Sequence, residues 1–483
     1  MMQGQPLLRS PATWLAFAAA TLGAMACLWV AWCEFPFHAW NDMRLAPAFA
    51  VSLGINPYPL LGEGPLLTWI YGPVGILINL PATLANSAIT ALHMASLINA
   101  TCVLGPLALL FFASPELRAR GWAAGLFAFA LAVLLVPRPN LVLQVADHCA
   151  IAAGLLANAC LARRAIPSRR FLLLAAVATT LAIWSKQIAV FLPVAQVVYL
   201  AIHQNRALAL RYVGILAGLN IVAALGFAWA FGWANLWFNL VAIPGQLGWA
   251  DLLARLSLRP WLLAVQIGVP VFAMVVLWRS RCWPNGQAES GRSFQLGVLS
   301  FWAMLPIGLL GFFKAGGDIN LIHSWSYWMP AAVLWWLVAA PAAVTKPIHL
   351  VAGVALALAS HQTDLRSLPS RPFVQHFGVA AELAESHRGR LWFPQNPVLN
   401  YYLDDTLWHT EDGVSTRFLA GYGISEKAFR SHLPSPLDAL VYPVANDSPF
   451  ATRLLPELNR KFRYPYWMIY APAEWEARPS DKP

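Results

Sequence analysis

The sequence has little charge, and its last third has no cysteine. Only 11% of its 483 residues are Asp, Glu, Lys or Arg and 59% are hydrophobic, whereas soluble domains average about 25% charged residues. These proportions exclude an ordinary soluble protein and predict a polytopic membrane protein. All six cysteines precede residue 362, so the C-terminal tail is not a disulfide scaffold, and none of them belongs to a C-x-x-C pair that would indicate a redox or metal centre. No nucleic-acid-binding motif is present.

Positive charge is concentrated in the apolar part of the chain. Residues 361–483 hold 13 Lys and Arg against 14 Asp and Glu, so residues 1–360 hold the other 19 and 8. In a membrane protein such an excess marks cytoplasmic loops. The change in character predicts two domains, at 1–361 and 362–483. The second has strand-like runs such as "GRLWFP", "LDALVYP" and "YWMIYAP", which predict a small α/β domain.

Eleven apolar runs are long enough to cross a bilayer. They lie at 12–33, 87–112, 122–137, 140–162, 171–186, 188–203, 212–232, 260–278, 294–313, 326–344 and 347–361. A twelfth apolar run, at 66–85, contains Gly72, Pro73, Gly75 and Pro81.

The distribution of Lys and Arg among the later loops indicates whether residues 66–85 span the membrane. If they do not, and the N-terminus is cytoplasmic, twelve later basic residues face the cytoplasm and five face outward. The twelve are Arg118, Arg120, Arg163, Arg164, Arg169, Arg170, Arg206, Arg211, Arg279, Arg281, Arg292 and Lys346; the five are Arg138, Lys186, Arg255, Arg259 and Lys314. The positive-inside rule therefore favours a re-entrant or juxtamembrane helix at 66–85. An odd number of spans then places residues 362–483 outside the cytoplasm. The spans themselves are expected to lie in a bacterial inner membrane.

Most acids of the apolar part fall on the predicted outer face. Six of the eight in residues 1–360 do so: Glu34, Asp42, Glu63, Asp147, Asp251 and Asp318, accompanied by His38, His148 and His323. Ionisable groups at membrane depth are costly and are functional candidates by default. The pattern predicts an outward-facing polar site.

The first candidate stretch is "HAWNDMRLAPAFAVSLGINPYP". It places Asp42 and Arg44 before a short apolar helix that Pro47 is predicted to start and Gly54 to end, suited to lying in the membrane interface. The alternative is a solvated loop acid with an arginine neighbour.

Two further stretches carry ionisable groups. Asp147 and His148 lie at the start of a helix that is predicted to run from the outer to the cytoplasmic face; the alternative for Asp147 is an acid in the membrane interface. Lys186 lies between two apolar runs, and its alternative is a lysine that snorkels to the membrane surface. Lys314, Asp318 and His323 flank a Gly-Gly turn, where the alternative is a connector beside a belt of interfacial Trp and Tyr.

The order of these pieces resembles the GT-C glycosyltransferases, polytopic enzymes that use polyprenyl-phosphate sugars. The group includes protein O-mannosyltransferases, lipid A aminoarabinose transferases and polyprenol-phosphate mannosyltransferases. The matching positions are Asp42, Arg44, Gly54, Asn56, Pro57 and Tyr58, then Tyr71 and Pro73, then Asp147 and Lys186. The lipid A enzymes have Lys-Pro-Pro where this chain has "YGPVG", so that lysine is missing.

The resemblance implies an all-α membrane domain of about 11 helices with juxtamembrane helices in a first external loop at 34–86. Asp42 would be the general base of an inverting displacement, and Asp147 would orient the acceptor or share that role. Lys186, Arg138 and Arg44 would bind the donor phosphate. Candidates for substrate binding are Tyr58, Tyr71, His148, Lys314, Asp318 and His323. The resemblance leaves a divalent metal open, because some members use one and others do not.

The expected partners are a polyprenyl-phosphate sugar, a lipid, glycan or protein acceptor, and membrane lipids. Two other functions stay open. A flippase or transporter of lipid-linked saccharides would use Asp147 and Lys186 as a coupling pair, although no internal repeat is visible. A polysaccharide polymerase or ligase would use the large outer loops and arginines.

Overall fold

A computed structural model describes most of the chain. The described residues are 11–67, 69–113, 121–136, 141–144, 146–163, 166–249, 271, 289–314, 374–443, 450–464, 466–473 and 475. Arg138, Asp318, His323, the predicted spans 326–344 and 347–361, and the predicted domain boundary at 361 lie outside them, as does the predicted span 260–278 apart from residue 271.

Helices dominate the described residues up to Lys314. They are α1 Pro11–Glu34, α2 Ala39–Ser52, α3 Val74–Leu77, α4 Ala88–Ala113, α5 Trp122–Leu135, α6 Ala146–Ala162, α7 Arg169–Ser185, α8 Leu192–His203, α9 Arg206–Phe231, α10 Trp233–Trp237, α11 Ile243–Gln246 and α12 Glu289–Phe312. Short 3-10 helices occur at Phe35–Phe37, Leu80–Leu84 and Gln187–Phe191, and a π-helix occurs at Phe238–Ala242.

Apolar composition makes several of these helices suitable for a bilayer. Among the described residues, four helical stretches are long and apolar enough to cross a membrane: Pro11–Phe37, Ala88–Leu109, Arg206–Phe231 and Gly291–Phe312. The helical class and the membrane character are therefore supported, while the number of eleven spans stays a prediction. In the described part of 66–85, the regular elements are α3 and the 3-10 helix that follows it.

The helix α2 differs from its sequence-based expectation. His38 caps its start, since the ring Nδ1 accepts the N–H of Trp40 at 3.2 Å, and Pro47 lies inside the helix. Every residue from 41 to 50 is buried. The prediction of a helix that begins at Pro47 and lies in the interface was wrong, because protein packs around α2 on all sides.

The C-terminal part, described over 374–475 with gaps, is a small α/β unit. Its helices are α13 Val374–Ser386, α14 Pro397–Asp404, α15 Glu411–Leu419 and α16 Glu426–Arg430; its strands are β1 Leu391–Trp392, β2 Ala439–Pro443, β3 Arg460–Tyr464 and β4 Trp467–Ala471. The strand order is β1-β2-β4-β3, with β1 parallel to β2 and the other pairs antiparallel. The three strand-like runs named from the sequence contain β1, β2 and β4, so their prediction as strands is confirmed.

The C-terminal part packs directly on the connecting segment between α1 and α4. The ring of Phe49 on α2 lies 5.0 Å from that of Tyr401, and Phe37 lies 5.4 Å from Phe377. The hydroxyl of Tyr402 donates to the carbonyl of Ala85 at 2.7 Å. The two regions share one hydrophobic core, which determines the surroundings of α2.

A polar network crosses the helical bundle. The side-chain oxygen of Gln196 accepts from the hydroxyls of Thr179 and Tyr212 at 3.0 and 2.6 Å, and its amide donates to Asn158 at 3.1 Å. Asn158 in turn donates to Ser300 at 2.9 Å. Five helices, α6 to α9 and α12, are thus joined by bonds that have no water to compete with them in a bilayer.

Candidate functional site

Asp42 is fully buried and faces the C-terminal part. Its Oδ1 accepts the backbone N–H of Val398 at 2.6 Å, and its Oδ2 accepts the amide of Asn396 at 3.2 Å. Burial raises the pKa of Asp42 to about 7, although these hydrogen bonds and one from the N–H of Leu399 act in the opposite direction. Asp42 therefore sits at the N-terminal end of α14, and its carboxyl group exchanges protons near neutral pH.

Arg44 is a buried cation that the described residues leave without a carboxylate partner. Only 6% of it is exposed, its guanidinium Nη1 donates to the carbonyl of Gln144 at 3.2 Å, and the group stacks over the ring of Trp40 at 4.3 Å. Its Nε is buried and has no hydrogen-bond partner. A buried unpaired charge is unfavourable, so this side chain is suited to receive an anion.

Asp147 and Lys186 form a buried ion pair. The ammonium lies 2.5 Å from both carboxylate oxygens, and both side chains are almost fully enclosed. Asp147 is in the first turn of α6 and Lys186 directly follows α7. The ring of Tyr71 lies 5.1 Å from the ammonium, close enough for a cation–π contact.

His148 lies in the same region. It is buried, and its Nδ1 has no hydrogen-bond partner. The charges of Arg44 and Lys186 both act on its ring. The structure thus brings Arg44, Asp147, His148 and Lys186 together, with two buried polar atoms, Arg44 Nε and His148 Nδ1, that lack a partner.

Gly72 explains how the loop "YGPVG" reaches this cluster. Its N–H donates to the carbonyl of Ser185 at 3.2 Å, and a Cβ atom on it would lie 1.8 Å from the carbonyl oxygen of Trp184. Only glycine permits such a close approach of two backbones. This contact carries Tyr71 to Lys186. The sequence indicated Tyr71 and Pro73 as site positions, and Gly72 only as one of the Gly and Pro residues within the apolar run 66–85.

Tyr58 holds the loop "YGPVG" in place through a hydrogen bond to the backbone of Tyr71. It is fully buried, and its hydroxyl donates to the carbonyl of Tyr71 at 2.9 Å. Its own N–H donates to the side chain of Asn56 at 3.0 Å, and Asn56 also donates to the carbonyl of Phe231. The "INPYP" turn therefore anchors the loop that holds Tyr71, and Tyr58 positions the site through that loop.

Lys314 is placed elsewhere. Its ammonium donates to the carbonyl of Pro244 at 2.8 Å, and its backbone forms an isolated bridge with Trp249. None of its described contacts is with Asp42, Arg44 or Lys186. Within the described ranges, no three His, Cys, Asp or Glu side chains are grouped so that they could hold a metal ion.

The side chains of Asp42 and Arg44 point to opposite sides of α2. Two residues along an α-helix differ in direction by about 200°, and accordingly Asp42 contacts α14 while Arg44 contacts the segment before α6. The site therefore has two halves, a proton-accepting half on one side of α2 and a cationic half on the other. Comparison with protein-family models gives no match, and comparison with curated proteins gives no significant match.

Proposed function

We propose that the protein is a glycosyltransferase that moves a sugar from a polyprenyl-phosphate donor to an acceptor outside the cytoplasm. The observation that carries the proposal is Arg44: a buried guanidinium without a described carboxylate, beside the Lys186–Asp147 pair at the ends of apolar helices. A phosphate at that position would give Arg44 the anion it lacks, and arginine binds phosphate with directed hydrogen bonds.

The two halves of the site fit the two ends of a displacement. An acceptor hydroxyl attacks the anomeric carbon and gives its proton to Asp42. The bond from that carbon to the phosphate oxygen breaks, and its electron pair leaves with the polyprenyl phosphate. Arg44 and Lys186 stabilise the charge on the departing phosphate. An in-line attack inverts the anomeric centre, and the divergence of Asp42 and Arg44 is in keeping with base and leaving group on opposite sides of the reacting carbon.

The proton affinity of Asp42 suits a base. A general base works best when its pKa lies near the working pH, and burial brings the pKa of Asp42 to about 7. Asp147 gives both oxygens to Lys186, so in this proposal it fixes the ammonium in place. Tyr71 and His148 line the same side and are proposed to contact the donor.

The acceptor must reach a carboxylate that has no exposed surface. Asp42 is covered by residues 396–398, so the C-terminal part has to move away from α2 to admit the acceptor. Its return would then exclude water from the reaction, which is a common task of a closing lid. The proposed acceptor is a lipid, glycan or protein, and the sugar is a hexose or pentose.

The orientation in the membrane belongs to the same proposal. The distribution of Lys and Arg favours a cytoplasmic N-terminus in a bacterial inner membrane, with Asp42 and the C-terminal part on the opposite side. The ion pair of Asp147 and Lys186 also suits a flippase, because a buried pair of opposite charges can couple transport to protonation. That is the second candidate function.

Sealed everted vesicles loaded with a polyprenyl-phosphate sugar that carries a radioactive sugar separate the two functions. A transferase moves the label from the lipid fraction to an acceptor, and Arg44→Met abolishes the movement. A flippase changes the side of the membrane on which the labelled lipid is found and leaves its bond to the sugar intact. The second result would contradict the proposed function.

A further inference from the structure

Asn396 stands at the start of α14 but does not cap it. An N-cap asparagine normally accepts an N–H of the first helical turn with its own side-chain oxygen. Here the side chain of Asn396 makes no such bond, and Asp42 accepts the N–H of Val398 in its place. The amide of Asn396 instead donates to the other oxygen of Asp42 at 3.2 Å.

The arrangement leaves a polar atom unused. Asn396 is 2% exposed, and its Oδ1 is buried without a hydrogen-bond partner. A helix cap alone would be better served if Asn396 turned this oxygen to the N–H groups of α14. Local rules of this kind are broken mostly at functional sites. The side chain is therefore placed for Asp42 and not for its own helix.

We propose that Asn396 is a positioning residue for Asp42, so that the C-terminal part completes the catalytic site. The inference rests on the proposed function, because it concerns the group assigned there as the base. The Asn396 amide and the Val398 N–H hold one oxygen each, which fixes the carboxylate plane and the lone pairs that face the acceptor hydroxyl. In this account the C-terminal part both admits the acceptor and orients the group that deprotonates it.

The amide also serves the protonated form of Asp42. After Asp42 takes the proton of the acceptor hydroxyl, its new O–H needs an acceptor of its own. A half-turn of the Asn396 side chain presents Oδ1, which is unpartnered in the present orientation. An asparagine has both a donor and an acceptor, so one side chain stays bonded to Asp42 before and after the proton transfer.

Where the structure describes them, the other titratable groups around Asp42 make no hydrogen bond to its carboxylate. On its own helix Arg44 bonds to Gln144, and His38 caps the helix start. The elements packed against α2 carry His93, Cys102, Tyr401, Tyr402 and Asp404. Asp147 and His148 lie on α6, which follows the segment that bonds to Arg44. Asp404 accepts from Gly389 and Asn400, and Asp147 from Lys186. Asn396 is thus the side chain bonded to Asp42 among the described residues.

The test is Asn396→Asp, which separates capping from positioning. Aspartate caps a helix as well as asparagine does, so a capping role predicts unchanged behaviour. Beside Asp42, however, a second carboxyl group forms a coupled pair that titrates in two separated steps. We expect the infrared titration of the Asp42 carboxyl band, identified by its loss in Asp42→Asn, to split into two steps. The acid limb of the kcat/KM profile should move to higher pH than in wild type, because a neighbouring carboxylate opposes the ionisation of Asp42.

Two companion variants make the test robust. Asn396→Ala removes one donor from the carboxylate and should move the acid limb of kcat/KM upward by about one pH unit, so the inference stays testable if Asn396→Asp fails to fold. Ser425→Asp places the same new carboxylate at the cap of α16, where the serine accepts the N–H of Ala428. It should leave the titration of Asp42 unchanged.

The infrared titration needs no turnover, so it separates this inference from the proposed function. A single, unshifted step in both Asn396 variants would overturn the positioning role even if sugar transfer occurs. A split titration in Asn396→Asp, together with no sugar transfer by wild type, would support the coupling of Asn396 to Asp42 and overturn the glycosyltransferase proposal. A split titration with a shifted rate profile supports both.

Discussion

The carboxylate of Asp42 accepts the backbone N–H of Val398 at 2.6 Å, so a side chain near the start of the chain caps a helix 356 residues further on. Because the cap is an ionisable group, the contact between α2 and the C-terminal part depends on the protonation of Asp42. The same carboxyl group is the base of the proposed reaction. Docking and chemistry therefore share one titratable group.

Stability should depend on pH through Asp42. Burial raises its pKa from 3.8 to about 7, so its contribution to stability is full below about pH 4 and is lost as the pH rises to 7, in total about 4 kcal/mol. Asp42→Asn has a similar shape and cannot ionise. We expect the melting temperature of wild type in detergent, relative to Asp42→Asn, to fall between pH 4 and 7. Parallel curves for the two proteins would contradict the raised pKa.

Donor affinity should depend on Arg44. Arg44→Met removes a charged hydrogen-bond donor from the proposed phosphate site, which corresponds to about 1.5–3 kcal/mol or roughly a 10- to 100-fold weaker affinity. Binding of radiolabelled short-chain polyprenyl phosphate in nanodiscs measures this. Arg211→Met, on an exposed part of α9, is the control and should bind normally. Equal binding by both variants would remove Arg44 from the site.

Lys186 needs a paired substitution to be tested. Lys186→Ala alone leaves Asp147 buried without its partner, which destabilises a protein by about 3–5 kcal/mol and would mask any effect on binding. Asp147→Asn combined with Lys186→Met removes both charges together. We expect this double variant to fold and to bind polyprenyl phosphate more weakly than wild type in the same assay. Wild-type affinity would mean that the pair is only structural.

Gly72 should be irreplaceable. In Gly72→Ala the new methyl group would overlap the carbonyl oxygen of Trp184, so the loop must move away from α7 and take Tyr71 with it. We expect a loss of about 1–3 kcal/mol in stability and a lower rate of transfer. Gly378→Ala is the matched control, because a Cβ there meets no atom within 4 Å. Equal melting temperatures of both variants would show that the backbone contact is unimportant.

The polar network around Gln196 should stabilise the bundle. Gln196→Leu removes the common acceptor of Thr179 and Tyr212, whose hydroxyls are then left with only each other at 3.0 Å. The hydrogen that loses its acceptor costs about 1–3 kcal/mol. Tyr212→Phe removes one of these two hydroxyls. The double variant should therefore lose less than the sum of the two single losses, as measured by thermal melting in detergent. Additive losses would contradict a connected network.

The length of the apolar runs was enough to predict the long apolar helices that are described. The apolar runs at 12–33, 87–112 and 212–232 correspond to α1, α4 and α9, because a long apolar run in a bilayer has one favourable form. The sequence also singled out Asp147 and Lys186, which the structure joins in one ion pair. Both are ionisable residues in apolar surroundings, where a partner of opposite charge is nearly obligatory.

Contacts between distant parts of the chain could not be predicted. Nothing near Asp42 in the sequence indicates Asn396 or Val398, since hydrophobic periodicity reports which face of an element is buried and not what covers it. The prediction that the helix begins at Pro47 was wrong for a related reason. Proline favours the first turn of a helix, but tertiary packing and the His38 cap start α2 eight residues earlier. The role of Gly72 depends on a backbone contact with Trp184, which no local pattern encodes.

The most direct test of the account is sugar transfer from a panel of synthetic polyprenyl-phosphate sugars by wild type and Asp42→Asn in nanodiscs. A positioned general base contributes about 10²–10⁴-fold to the rate. We expect wild type to transfer sugar from at least one donor and Asp42→Asn to lose about that factor while it still binds the donor. Transfer at the wild-type rate by Asp42→Asn, or no transfer and no donor hydrolysis by wild type with any donor, would contradict it.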